Sequence, residues 1–157
     1  MITKEDFKSL FETWQSIIDV QTEGLTREDL LLQPKPGGNC MLWILGHMAE
    51  SMKDLTVELG GSTPKGYDVY ERFARTSEPL LGDEPGLPDL AKIRADYAAL
   101  SNLACQALDE QSDDYFKEPG WSGTKGATIL FLSFHMSYHS GHVETMTVLR
   151  RTQRVTS

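Results

Sequence analysis

An all-α four-helix bundle, with a long crossover between its second and third long helices, is the fold that this sequence predicts. Three observations carry the prediction. Four segments place apolar residues three and four apart, no segment alternates apolar and polar residues as a strand would, and one Gly- and Pro-rich connection is long enough to return the chain along a bundle.

The first segment sets Phe7, Leu10, Phe11, Trp14, Ile17 and Ile18 on one face at 3.6 residues per turn, giving an amphipathic helix of about five turns. A polar stretch, Thr26-Arg27-Glu28-Asp29, has room for one short turn. Pro34, Pro36, Gly37 and Gly38 then break the chain. The second long helix starts near Asn39 or Cys40, with Met41, Ile44, Leu45, Met48, Met52, Leu55 and Leu59 on one stripe, and Gly60-Gly61 ends it.

From Gly61 to about Pro88 only Tyr67–Phe73 has the makings of a short helix. A connection of this length is unusual inside one domain, and it suits a crossover that leaves the helices before and after it parallel. Pro88, at a first helical position, is expected to open the third long helix, where Leu90, Ile93, Tyr97, Leu100, Ala104 and Ala107 step by three and four. After Gly120-Trp121-Ser122-Gly123 the fourth runs from about Thr124 to Arg151, with basic residues at the end the helix dipole favours.

Length and composition fit this picture. The 157 residues, 39% hydrophobic and 24% charged, suit a single domain over 1–157 with an ordinary core. A net charge of −8 repels phosphate backbones and anionic lipid, and the Arg150, Arg151 and Arg154 cluster is too small to reverse that, so neither nucleic acid nor a membrane is expected as a partner. Cys40 and Cys105 are far apart with no CxxC spacing, which excludes a disulfide framework and a four-thiolate zinc site and points to a reducing cytoplasm. Charges in Met1–Asp6, where a signal peptide would be apolar, and the lack of any run of about 18 apolar residues argue against export and membrane spanning.

The four histidines are the most informative feature, because all fall in two helices: His47 in the second, and His135, His139 and His142 in the fourth. With Phe131 set to zero, about 100° per residue puts His135 near 40°, His139 near 80° and His142 near 20°, so three imidazoles share one stripe. His135 and His139, four apart, have Cβ atoms about 6 Å apart and can converge on one ion. A third ligand from another helix would close a facial set and leave positions for water or substrate, and His47 is the candidate. The same stripe carries Phe131, Phe134, Tyr138 and Leu149, an apolar setting in which a neutral imidazole is easier to accommodate than a charged one.

Plainer readings stand beside this one. On its own helix His47 lies about 120° from the apolar stripe, in line with Ser51, Asp54 and Glu58, the place of a boundary or surface residue. An i,i+4 histidine pair on a buried face also suits a hydrogen-bonded core. Other metal chemistries lack their parts: His135-Met136-Ser137-Tyr138-His139 has no glutamate after its first histidine, Glu144 points away from the stripe, and the Glu-x-x-His ligands of a di-iron bundle are missing. Glu50 and Asp54 are candidate partners for His47. Tyr138 is a candidate for orienting substrate or for structural burial, and Tyr67, Tyr70, Phe73, Arg72 and Arg75 for capping a pocket or for loop packing. Cys40, about 10 Å along the helix from His47, is expected to be a small buried residue.

Two segments, Pro36-Gly37-Gly38-Asn39-Cys40-Met41-Leu42-Trp43-Ile44-Leu45-Gly46-His47-Met48-Ala49 and His135-Met136-Ser137-Tyr138-His139-Ser140-Gly141-His142, resemble the DinB/YfiT-like superfamily. There a Trp-rich stretch ends in one histidine on helix two, and an H-x-x-x-H-x-G motif on helix four supplies two more. The resemblance implies a divalent metal (Zn, Ni, Fe or Mn) held by His47, His135 and His139, a homodimer, and a small-molecule substrate. It further implies transfer of a low-molecular-weight thiol to an electrophile, thiol-assisted isomerisation or metal-assisted hydrolysis, with a non-catalytic metal-binding or small-molecule-binding bundle as the alternative. His142 departs from the family pattern, in which glutamine is frequent, and is a candidate further ligand or substrate-facing hydrogen bonder.

Overall fold

The computed structural model describes residues 3–35, 37–62 and 65–155; Met1, Ile2, Pro36, Thr63, Pro64 and the side chain of Arg154, on which parts of the sequence reading fall, lie outside the described residues. Helix α1 spans Lys4–Gln21, where Thr3 and Asp6 form a reciprocal capping box that satisfies two otherwise unpaired amides. It buries Phe7, Phe11, Trp14 and Ile18, and each such fully buried side chain stabilises by roughly 1.5–3 kcal/mol before the ordering entropy is subtracted. The short turn expected at Thr26 is α2, Arg27–Leu31, opened by a second capping box between Thr26 and Asp29.

Helix α3, Met41–Glu58, starts at a Cys40 N-cap whose side chain makes no capping bond. Helix α4, Leu90–Glu110, starts two residues later than Pro88 would have set it: the Asp89 carboxylate accepts the Lys92 amide at 2.7 Å and takes the N-cap, leaving Pro88 outside the helix. Between them Asp68–Phe73 forms a 3-10 turn. A two-residue antiparallel pair, β1 (Pro119–Gly120) with β2 (Gly123–Thr124), leads into α5, Lys125–Val155; it is too short for any sequence pattern to announce.

Cross-links fix the direction of each helix. Gln111 and Tyr115, just past the end of α4, donate to the carbonyls of Leu59 and Glu58 at the end of α3, so these two helices run parallel as the crossover predicts. Lys8 pairs with Asp109, and Asp19 with Arg94, which sets α1 antiparallel to α4. Trp14 donates to Ser137, and Thr147 to the Gln21 carbonyl, which sets α1 parallel to α5. The apolar core fills the space among α1, α3, α4 and α5.

Helix α3 is the central rod. Every residue from Cys40 to Ala49 is buried, because this half meets α2 and the 3-10 turn as well as α4 and α5. That overturns the boundary position read for His47 from its helical angle: the helix has no solvent side there, and His47 is 4% exposed. The opposite correction applies to α5. Phe131, Phe134 and Tyr138 are not part of the core but 46%, 69% and 53% exposed, while Ile129, Met136 and Val143 supply the core stripe. Both cysteines are free, Cys40 buried and Cys105 half-buried.

Candidate metal centre

Gly46 decides where His47 can go. A Cβ on residue 46 would stand 2.5 Å from the Phe73 ring, so only a glycine lets that ring lie on the α3 backbone. With the ring seated there, the Phe73 carbonyl accepts a hydrogen bond from Nδ1–H of His47 at 2.8 Å. A carbonyl only accepts, so Nδ1 carries the proton and Nε2 keeps its lone pair. Trp43, four residues earlier on the same helix, stacks on the imidazole with centroids 4.8 Å apart and is itself tied to Ser77 by its indole N–H.

Nε2 of His47 meets Nε2 of His135 at 3.0 Å, and the His47 ring lies 5.2 Å from that of His135 and 4.7 Å from that of His139. The helical pair itself is 4.5 Å apart, ring to ring. One ligand atom from each of His47, His135 and His139 lies within 4.8 Å of the other two. Tetrahedral coordination at roughly 2.0 to 2.1 Å needs nitrogens about 3.3 Å apart, a spacing this cluster brackets. Nδ1 of His139 is buried without a hydrogen-bond partner. An imidazole lone pair shut off from water and from protein donors is what a coordinate bond would satisfy, so the residues fit a divalent cation.

The electrostatics agree. Burial lowers the pKa of His47 despite its bond to Phe73. Burial, then the nearby His47 and Arg75, lower that of His135. In His139 burial and the three neighbouring histidines bring it to about 3. All three rings are therefore neutral at pH 7, which is the ligating form.

The cluster lies on the wall of a cavity of about 490 Å³ whose apolar lining includes Trp43, Ile44, Met146 and Leu149. Tyr138 and His142 line it too, their rings 4.2 Å apart and 5.1 and 5.4 Å from His139. His142 is thus beside the three-histidine set rather than within it. Glu144 faces solvent, as its angle predicts. Glu50 and Asp54 do not orient His47: Glu50 pairs with Lys53 at 2.8 Å, and the backbone of Phe73 does that work instead. Of the crossover residues, Tyr70 and Phe73 are core and Arg72 pairs with Glu84, whereas Arg75 faces the cavity. Cys40 is fully buried with its thiol pKa pushed up by burial, an inert packing residue. Trp43 and the Phe73 carbonyl escaped the sequence reading. The i,i+4 step from Trp43 to His47 was the available signal for the first; nothing local signals the second.

A bundle of four long helices that gathers three histidines from two of them defines a class of helical proteins with a candidate mononuclear metal centre. The chain matches the DinB superfamily over residues 10–143, from within α1 to just past His142, and belongs to that superfamily. No curated protein sequence matches it.

Proposed function

We propose that the protein is a metal-dependent transferase that joins a low-molecular-weight thiol to a small electrophile. The observation that carries the reading is the convergence of His47, His135 and His139, all held neutral, on the wall of a largely apolar cavity, with no carboxylate hydrogen-bonded or ion-paired to any of them among the described residues. His47, His135 and His139 would hold a divalent ion, Zn, Ni, Fe or Mn, which when bound supplies Lewis acidity that lowers the pKa of a thiol or water at neutral pH. Phe73 fixes the tautomer and ring plane of His47, Trp43 backs the ring, and the apolar cavity walls exclude water from an electrophile. His142 and Tyr138 are positioned to hydrogen-bond a substrate. In the transfer the thiol proton passes to solvent, a sulfur–carbon bond forms, and the leaving group departs with the bonding pair.

Metal-assisted hydrolysis uses the same centre with water in place of the thiol. The thiol reading is preferred because, among the described residues, no carboxylate is hydrogen-bonded or ion-paired to His47, His135 or His139 to take a proton from water. A homodimer and a cytoplasmic setting complete the reading; the exposed aromatic strip of Trp121, Phe131, Phe134 and Tyr138 supports the former, and the absence, among the described residues, of a helix long and apolar enough to cross a membrane is compatible with the latter.

The test is turnover of monochlorobimane with glutathione, bacillithiol or mycothiol by protein purified without a nickel column and then loaded with metal. Thiol-dependent chloride release abolished by His135→Ala or His139→Ala supports the transferase. Stoichiometric metal with no turnover across thiols and electrophiles would leave a binding module.

A further inference from the structure

One face of α5 is left uncovered by the rest of the described chain. Leu130, Phe131, Phe134, Tyr138 and Val148 are each about half exposed or more, and about 100° per residue gathers them on one side of the helix. Trp121 packs edge-on against Phe131, centroids 5.3 Å apart, and widens the strip. From Gly126 to Val143 the helix holds no Asp, Glu, Lys or Arg, in a chain that is 24% charged. Single apolar residues on a surface are ordinary, but a contiguous strip of them marks a contact surface.

Two properties select a second copy of this chain as the occupant. The first is charge. At −8 the chain repels a like copy over most of its surface, and the strip is where two copies can touch without bringing carboxylates together. A basic partner, the kind an acidic protein attracts, would find no carboxylate on it. The second is shape. About a twofold axis between Ser137 and Tyr138, an antiparallel pair of α5 helices sets Phe134 against Gly141 and Leu130 against Thr145, large against small. A Cβ built on Gly141 would meet nothing within 4 Å in its own chain, so that notch is open to a ring from outside. Parallel pairing would instead set Phe134 on Phe134 and Gly141 on Gly141, a clash beside a void. Six side chains about half exposed offer on the order of 500 Å² per copy, and twice that reaches the roughly 1,000 Å² a specific interface needs.

We propose that two copies pair antiparallel along α5 and that Phe134 of the partner subunit extends the apolar wall of the cavity at the three histidines. Tyr138 and Thr145 are exposed yet line that cavity, so they form its rim on the α5 side. A ring seated over Gly141 lies between them and shields His142, half-buried just inside the rim, from water. Each cavity is then complete only in the pair. The inference rests on the homodimer reading for the existence of a pair; the face, its direction and the shared wall go beyond it.

Sedimentation equilibrium of the metal-free full chain reads the pair, and diethyl pyrocarbonate labelling of His142, resolved by mass spectrometry, reads the shared wall. Gly141→Trp fills the notch where its own chain leaves room, and Phe134→Asp puts a charge in the strip at a residue 69% exposed, so neither threatens the fold. Each should weaken the dimer roughly 100-fold or more. Leu81→Asp, at an exposed leucine of the crossover, should leave it unchanged. His142 should be labelled several-fold more slowly in the wild-type dimer than in the Phe134→Asp monomer. A dimer that survives both α5 substitutions pairs through another face and overturns the inference while the homodimer reading stands. A wild-type chain still monomeric at about 100 μM overturns both. Equal labelling of His142 in dimer and monomer overturns the shared wall.

Discussion

Phe73 lies on the bare backbone of Gly46, 2.5 Å from where a side chain would begin, and in doing so brings its own carbonyl to the next residue's imidazole. The helix that carries His47 and the crossover that orients it are thus joined by the absence of a methyl group.

Gly46→Ala is expected to push the 3-10 turn away from α3. Overpacking of this kind destabilises by about 1–3 kcal/mol, and loss of the orienting hydrogen bond should weaken metal binding roughly 10- to 100-fold. Urea unfolding and competitive metal titration measure the two effects; a wild-type affinity in a destabilised variant would show that Phe73 does not orient the ligand.

His135→Ala and His139→Ala should each strip the centre of metal while leaving the bundle folded, because neither ring is part of the aliphatic core. Elemental analysis alongside circular dichroism checks this, and metal retained by both variants would place the centre elsewhere.

Acid should destabilise the metal-free chain in a defined direction. The four histidines have native pKa values below the ordinary 6.5, that of His139 about 3, so below about pH 6.5 the unfolded chain binds protons that the native chain does not. Stability should therefore be unaffected by these groups above that pH, fall as pH drops through it, and keep falling toward pH 3. For the same reason protons should displace metal only well below pH 6.5. Chemical denaturation at stepped pH, with the His135→Ala/His139→Ala double variant as control, should show a flatter acid limb in the control.

Tyr97 is fully buried and its hydroxyl has no hydrogen-bond partner. Removing that hydroxyl removes an uncompensated desolvation, so Tyr97→Phe should raise stability by about 1 kcal/mol. A lower denaturation midpoint would mean that an ordered water already satisfies the group.

Much of this was legible in residue spacing. The periodicities from Phe7 to Ile18 and from Leu90 to Ala107 read correctly because each of those helices keeps a wet side, and spacing records only the contrast between wet and dry. Helix α3 has no such contrast over Cys40–Ala49, and there the angle of His47 misled. The i,i+4 pair on α5 was visible because one helix sets its geometry, whereas the bond from His47 to the Phe73 carbonyl spans 26 residues and depends on how the crossover folds back. The aromatic strip of α5 misled for the converse reason: apolar residues beside the histidines looked like core and proved to be surface.

His47 and His135 are 88 residues apart, and their rings meet only once α3 and α5 have docked. Closing so long a loop is slow and belongs late on the route to the native state. A cation that recognises only the closed arrangement should then leave the refolding rate nearly unchanged and slow unfolding instead. Loading the centre would lengthen the lifetime of the native chain without helping it to assemble, and stopped-flow chevrons recorded with zinc and with chelator would show one arm moving while the other stays still.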